Sequence, residues 1–104
     1  MRLSILISLL LFHASSVAMD DSERNPIAKK LKHSVMKKVT KAHDVEGFCD
    51  LFITMKHKGK TAVVKSVRTN GNHQLCKLSK SGIKIGRKFR YDSPANLIRL
   101  HIRP

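Results

Sequence analysis

Acidic residues are scarce. Seven Asp and Glu stand against twenty-one Lys and Arg, and the formal net charge is +14. Five of the acids (Asp20, Asp21, Glu23, Asp44, Glu46) fall before residue 47, and from Gly47 onward only Asp50 and Asp92 face thirteen Lys and Arg. So few carboxylates leave little with which to build a paired general acid and base. Asp44 and Glu46 stand two apart at a helix exit, where capping and turn roles are common. Cysteine is equally sparse, with Cys49 and Cys76 alone and no C-x-x-C. His33, His43, His57, His73 and His101 never fall at H-x-x-x-H or H-E-x-x-H spacing, so no metal site is written in the chain. Gly82-x-x-x-Gly86 lacks the Lys-Ser/Thr that completes a phosphate-binding loop. There is no Asn-x-Ser/Thr sequon. With every class of catalytic motif missing, the sequence reads as a binding protein and not an enzyme, with no catalytic residue, no metal and no cofactor.

Long apolar runs are missing too, save one. Leu3 to Phe12 follows Arg2 and precedes Ser16-Val17-Ala18, which places small residues at the −3 and −1 positions of a cleavage site after Ala18. A helix needs about 20 apolar residues to span a bilayer, so residues 1–18 read as a secretory signal peptide. The alternative is an uncleaved anchor extending to Met19. Cleavage near Ala18 implies a periplasmic or secreted protein with no stable transmembrane segment. In an export context two cysteines read as one Cys49–Cys76 disulfide, closing a loop of about 26 residues worth about 3–4 kcal/mol. A metal pair or two free thiols are the other readings.

What the sequence has in excess is positive charge, and such a surface attracts acidic proteins, anionic lipid or nucleic acid. Lys29, Lys30, Lys37 and Lys41 on a first helix and Lys56, Lys58 and Lys60 about a turn form the candidate basic surface. Export argues against nucleic acid. So does the shortage of aromatics for stacking, since Phe48, Phe52, Phe89 and Tyr91 must also help build a core.

Met19 to Arg24 is polar and reads as part of a disordered lead-in over residues 19–25. Asn25 and Pro26 then open a helix whose residues Ile27, Ala28, Leu31, Val35, Val39 and Ala42 share one face. Phe48 to Met55 alternates as a half-buried strand, His57 to Lys60 reads as a hairpin turn with Gly59 at positive φ, and Thr61 to Arg68 returns. Thr69 to Asn72 is a turn leading into a short helix, His73 to Ser81, stopped by Gly82. Ile83 to Tyr91 fits neither pattern cleanly, Asp92-Ser93-Pro94 is a turn, and Leu97 to Ile102 alternates again. The order predicts an α+β domain: a small three-stranded antiparallel sheet packed against an N-terminal helix and a short second helix, with one disulfide.

The stretch Cys49-x-Leu51-x-Ile53-x-Met55-x-x-x-Gly59, the Leu75-Cys76 pair and the closing strand ending Ile102-Arg103-Pro104 resemble the C-terminal periplasmic domain of TolA. The resemblance covers about residues 26–104, with a longer second strand and a shorter segment after Cys76. It implies a three-stranded sheet on helices, a disulfide from the first strand to the following helix, and protein binding in the periplasm of Gram-negative bacteria. The partners it implies are Tol–Pal components, colicin segments and phage coat-protein segments, and its roles are cell envelope integrity and bacteriocin transport. One binding mode of that family is strand addition at a sheet edge. Here the strand expected to offer its edge is Leu97 to Ile102, with Leu97, Arg99, His101 and Arg103 as the contact residues. The chain departs from full-length TolA in showing no inner-membrane anchor and no long helical spacer. Two other readings stay open: a secreted cationic effector acting on anionic membranes, and a polyanion binder.

Overall fold

The computed structural model describes residues 20–90 and 95–104. The expected signal segment and the turn at Asp92-Ser93-Pro94 lie outside them. Asn25 caps α1 (Pro26–Val39): its Oδ1 accepts from the amides of Ile27 and Ala28 at 2.8 and 3.2 Å, and Pro26 takes the first turn, where no donor is needed. The helix buries Ile27, Ala28, Leu31, Val35 and Val39. It stops short of Ala42, because the Thr40 hydroxyl donates back to Met36 O and the amides of Lys41 and Ala42 reach only three residues back.

The chain then forms β1 (Cys49–Lys58), β2 (Thr61–Gly71), α2 (His73–Ser81), β3 (Lys88–Arg90) and β4 (Leu97–Ile102). All pairings are antiparallel and the sheet order is β3-β2-β1-β4. The α+β class holds, but the sheet has four strands and not three. The added strand comes from the ambiguous segment after Gly82: Lys88–Arg90 is only three residues long, with Phe89 buried between exposed Lys88 and Arg90. That is too short to leave a period in the sequence. β1 and β2 both run three residues beyond their expected ends, and Gly59-Lys60 makes the turn between them, with Gly59 at φ 58°. Thr69 to Gly71, expected in a turn, pair with Leu51 to Cys49.

A bulge decides which side chains meet the core. The register shifts between Thr54 and Met55, so that Met55 faces Val64 while Thr54 faces Ser66. Lys65 is the extra residue. Side chains alternate along a strand, so an unbroken register would turn Val67 outward and Arg68 inward. With the bulge, Ala62, Val64 and Val67 are buried and Arg68 is exposed.

Both helices pack on one face of the sheet. Leu51, Ile53, Ile98, Leu100 and Ile102 of the strands join Leu31 and Val35 of α1 and Leu75 of α2, all essentially without solvent exposure. A Cβ on Gly82, the cap of α2, would sit 2.8 Å from Val35 Cα, so the two helices approach there at backbone distance. The disulfide is present: Cys49 of β1 bonds Cys76 of α2, tying that helix to the sheet.

Candidate functional site

β4 ends the sheet on one side and so presents an edge. In its register with β1, Ile98, Leu100 and Ile102 turn their side chains into the core, while Leu97, Arg99 and His101 turn theirs to the helix-free face. The backbone amides of Arg99 and His101 point away from β1. They do not wait for water. Asp21 N–H donates to Arg99 O at 2.8 Å, Arg99 N–H donates to Asp21 Oδ2 at 2.8 Å, and His101 N–H donates to Asp20 Oδ2 at 3.0 Å.

Within the segment expected as a disordered lead-in, Asp20 and Asp21 therefore sit against the outer edge of β4, and residues 22–24 turn away into α1. The physical reason is the edge itself: unpaired amides attract any acceptor the chain can bring, and carboxylates make charge-assisted bonds. Asp20 is held in place by Lys32 Nζ, 2.7 Å from the same Oδ2, and by the Ser22 hydroxyl and amide, which donate to Oδ1. Burial raises the Asp20 carboxyl. The hydrogen bonds from Lys32, Ser22 and His101 outweigh it and hold the group at about 2. Arg99 Nε stands 3.8 Å from Asp21 Oδ2, a loose and solvent-exposed pair.

Beside this edge His101 joins a short polar chain. Its Nδ1 lies 2.5 Å from Asp50 Oδ1, and Arg103 Nε donates to its Nε2 at 3.2 Å. Because an arginine nitrogen can only donate, Nε2 accepts and the ring proton sits on Nδ1, facing Asp50. Phe48 stacks on the His101 ring at 5.6 Å between centroids. Leu97, Arg99, His101 and Arg103 lie together at this edge, and Arg103 and His101 already hold each other.

The seven lysines proposed as one basic surface fall in two places. Lys29, Lys30 and Lys37 line a shallow depression of about 400 Å³ with His33, Ser34 and Arg87, whose Nη1 donates to the Ser34 hydroxyl at 2.8 Å. Lys41 lies just past the end of α1. Lys56 and Lys58 stand on β1 and Lys60 at the turn, all exposed, at the far end of the hairpin from the disulfide. Sequence reasoning missed Asp20 and Asp21, which read as lead-in polarity. It also missed Arg68, whose guanidinium sits 5.8 Å from the Phe52 ring centroid. The spacing of Ala62, Val64 and Val67, with its extra residue, was the signal for the bulge that puts Arg68 there.

Among the described residues no group of three His, Cys, Asp or Glu is arranged to hold a metal ion, and no helix is long and apolar enough to cross a membrane. Comparison with known proteins gives no match to a family model, to a curated protein or to a solved structure. The resemblance to the TolA domain rests on the residues quoted for it.

Proposed function

We propose that this chain is an exported protein-binding module of the bacterial cell envelope, TolA-like in kind, that takes an extended segment of its partner as an added strand on β4. It binds and does not catalyse. One observation carries the reading: the outer edge of β4 is engaged by two residues of the chain itself, Asp20 and Asp21, and they do not form a strand. They contribute one main-chain donor, to Arg99 O, and two carboxylate acceptors where a true strand would bring carbonyls. A partner strand restores the full ladder and so outcompetes it. Tol–Pal proteins, colicin translocation segments and phage coat-protein segments are the partners this reading names.

Strand addition is tested by titrating a purified colicin translocation domain into the oxidised protein at low and high salt. The expected result is binding that survives salt, with new amide protection at Arg99, His101 and Arg103. An Asp20→Ala, Asp21→Ala variant, whose edge is uncovered, binds several-fold tighter. Binding that vanishes in salt, or that perturbs α1 and leaves β4 unchanged, contradicts the reading.

A further inference from the structure

Two helices cover one face of the sheet, and among the described residues nothing covers the other. The register writes out what that open face carries. Arg68, Phe52 and Arg99 form one row across β2, β1 and β4. Ser66, Thr54 and Leu97 form the next. Lys88, Val63 and Lys56 form a third across β3, β2 and β1, and Arg90, Thr61 and Lys58 a fourth. Strands lie about 4.8 Å apart and rise about 3.4 Å per residue, so the four rows make a patch about 15 by 20 Å. Cations stand at both ends of it. Phe52 and Val63, half-buried, and Leu97, 45% exposed, lie between them, with Phe48 38% exposed at the rim. Among the described residues the acids beside this face are already engaged: Asp50 with His101, its side chain only 15% exposed, and Asp21 at the β4 edge with Arg99, whose Nε lies 3.8 Å from its Oδ2.

We propose that this open sheet face docks on an anionic membrane surface, the cations taking lipid phosphates and the exposed Leu97 and Phe48 entering the headgroup layer. Charge complementarity argues for the partner, and the apolar centre argues for lipid over other polyanions. A nucleic acid asks for free aromatic faces and a groove that follows its backbone. Here the one aromatic inside the cation rows already has Arg68 over its ring. A broad array of cations around exposed apolar side chains matches an interface that is charged at its surface and apolar just beneath. The basic side of α1 lacks that combination: its lysines surround polar His33 and Ser34, and Lys32 is paired with Asp20. Docking through this face goes beyond strand addition and does not depend on it, since it uses outward side chains, those of Leu97 and Arg99 on β4 among them, and does not engage the β4 backbone.

The test is co-sedimentation of the oxidised protein with vesicles of phosphatidylcholine alone and of phosphatidylcholine mixed equally with phosphatidylglycerol. Two variants of equal charge loss are compared: Lys56→Gln, Arg68→Gln, Lys88→Gln on the open face, and Lys29→Gln, Lys30→Gln, Lys37→Gln on α1. All six positions are exposed, and urea midpoints confirm that both variants fold. The expected result is binding to the anionic vesicles only, weakened about a hundredfold by the sheet-face variant and much less by the α1 variant. Leu97→Gln lowers the binding that remains at high salt. Equal losses from both variants, no preference for anionic vesicles, or tighter binding to a single-stranded oligonucleotide than to vesicles overturns the proposal.

Discussion

Gly71 shows how little freedom single residues have here. It ends β2 at φ 136°, and a Cβ on it would fall 2.3 Å from the Phe48 carbonyl oxygen. That same oxygen accepts from the Asn72 amide at 2.8 Å, and Asn72 in turn caps α2 by accepting from Leu75 N at 2.9 Å. Gly71→Ala therefore strains the backbone and pushes apart the joint where β1 and α2 start and β2 ends. We expect a loss of about 2–4 kcal/mol, read as a lowered urea midpoint with a normal slope. The caps at Asn25 and Asn72 were legible in the sequence because their chemistry is local. The steric demand at Gly71 was not. It depends on Phe48, twenty-three residues earlier, lying across the sheet.

At the scale of elements, the disulfide and the Asp20 clamp each hold one element to another. Cys49 and Cys76 are 27 apart in sequence and join β1 to α2. Reducing the bond lowers stability by about 3–4 kcal/mol in the chain-entropy account, and comparing oxidised and reduced protein in urea measures it. The clamp has a pH signature. The Asp20 carboxyl is depressed from 3.8 to about 2 in the folded protein. Its contribution, about 1 kcal/mol in so solvent-screened a group, is fully present above about pH 4 and is lost as pH falls toward 2. Hydrogen exchange at the His101 amide, corrected for intrinsic rates, should quicken over that window while core amides such as that of Leu51 hold. The elements themselves were largely readable: α2 and β4 sit where their patterns place them, since each has strong local signals at both ends. β3 was not, because its pairing with residues 61–63 is decided by the sheet and not by its own three residues. The clamp was unreadable for the same reason, resting on contacts about eighty residues apart.

For the molecule as a whole, charge dominates. With a formal net charge of +14, like charges crowd both the sheet side and the helix side, and the described ion pairs are few. Moderate salt shortens the reach of that repulsion to about 8–10 Å. The melting temperature should therefore rise by about 2–5 °C between dilute buffer and physiological salt, and a fall on adding salt would mean that attractive pairs outweigh the repulsion. The charge balance was plain in the sequence, but its division between two faces was not. It follows from the pairing of the strands, with the bulge at Lys65 turning Arg68 outward. The open sheet face and the clamped edge are consequences of the same two-layer plan: among the described residues, helices on one side only, and a last strand paired on its β1 side alone.

The most direct measurement of the account is amide hydrogen exchange across β4 in the oxidised protein, alone and with a purified colicin translocation domain. Strand addition predicts that Arg99, His101 and Arg103 gain protection on binding, and that the Asp20→Ala, Asp21→Ala variant starts with less protection and gains more. Unchanged β4 exchange in a formed complex would contradict strand addition and place the partner elsewhere on the molecule.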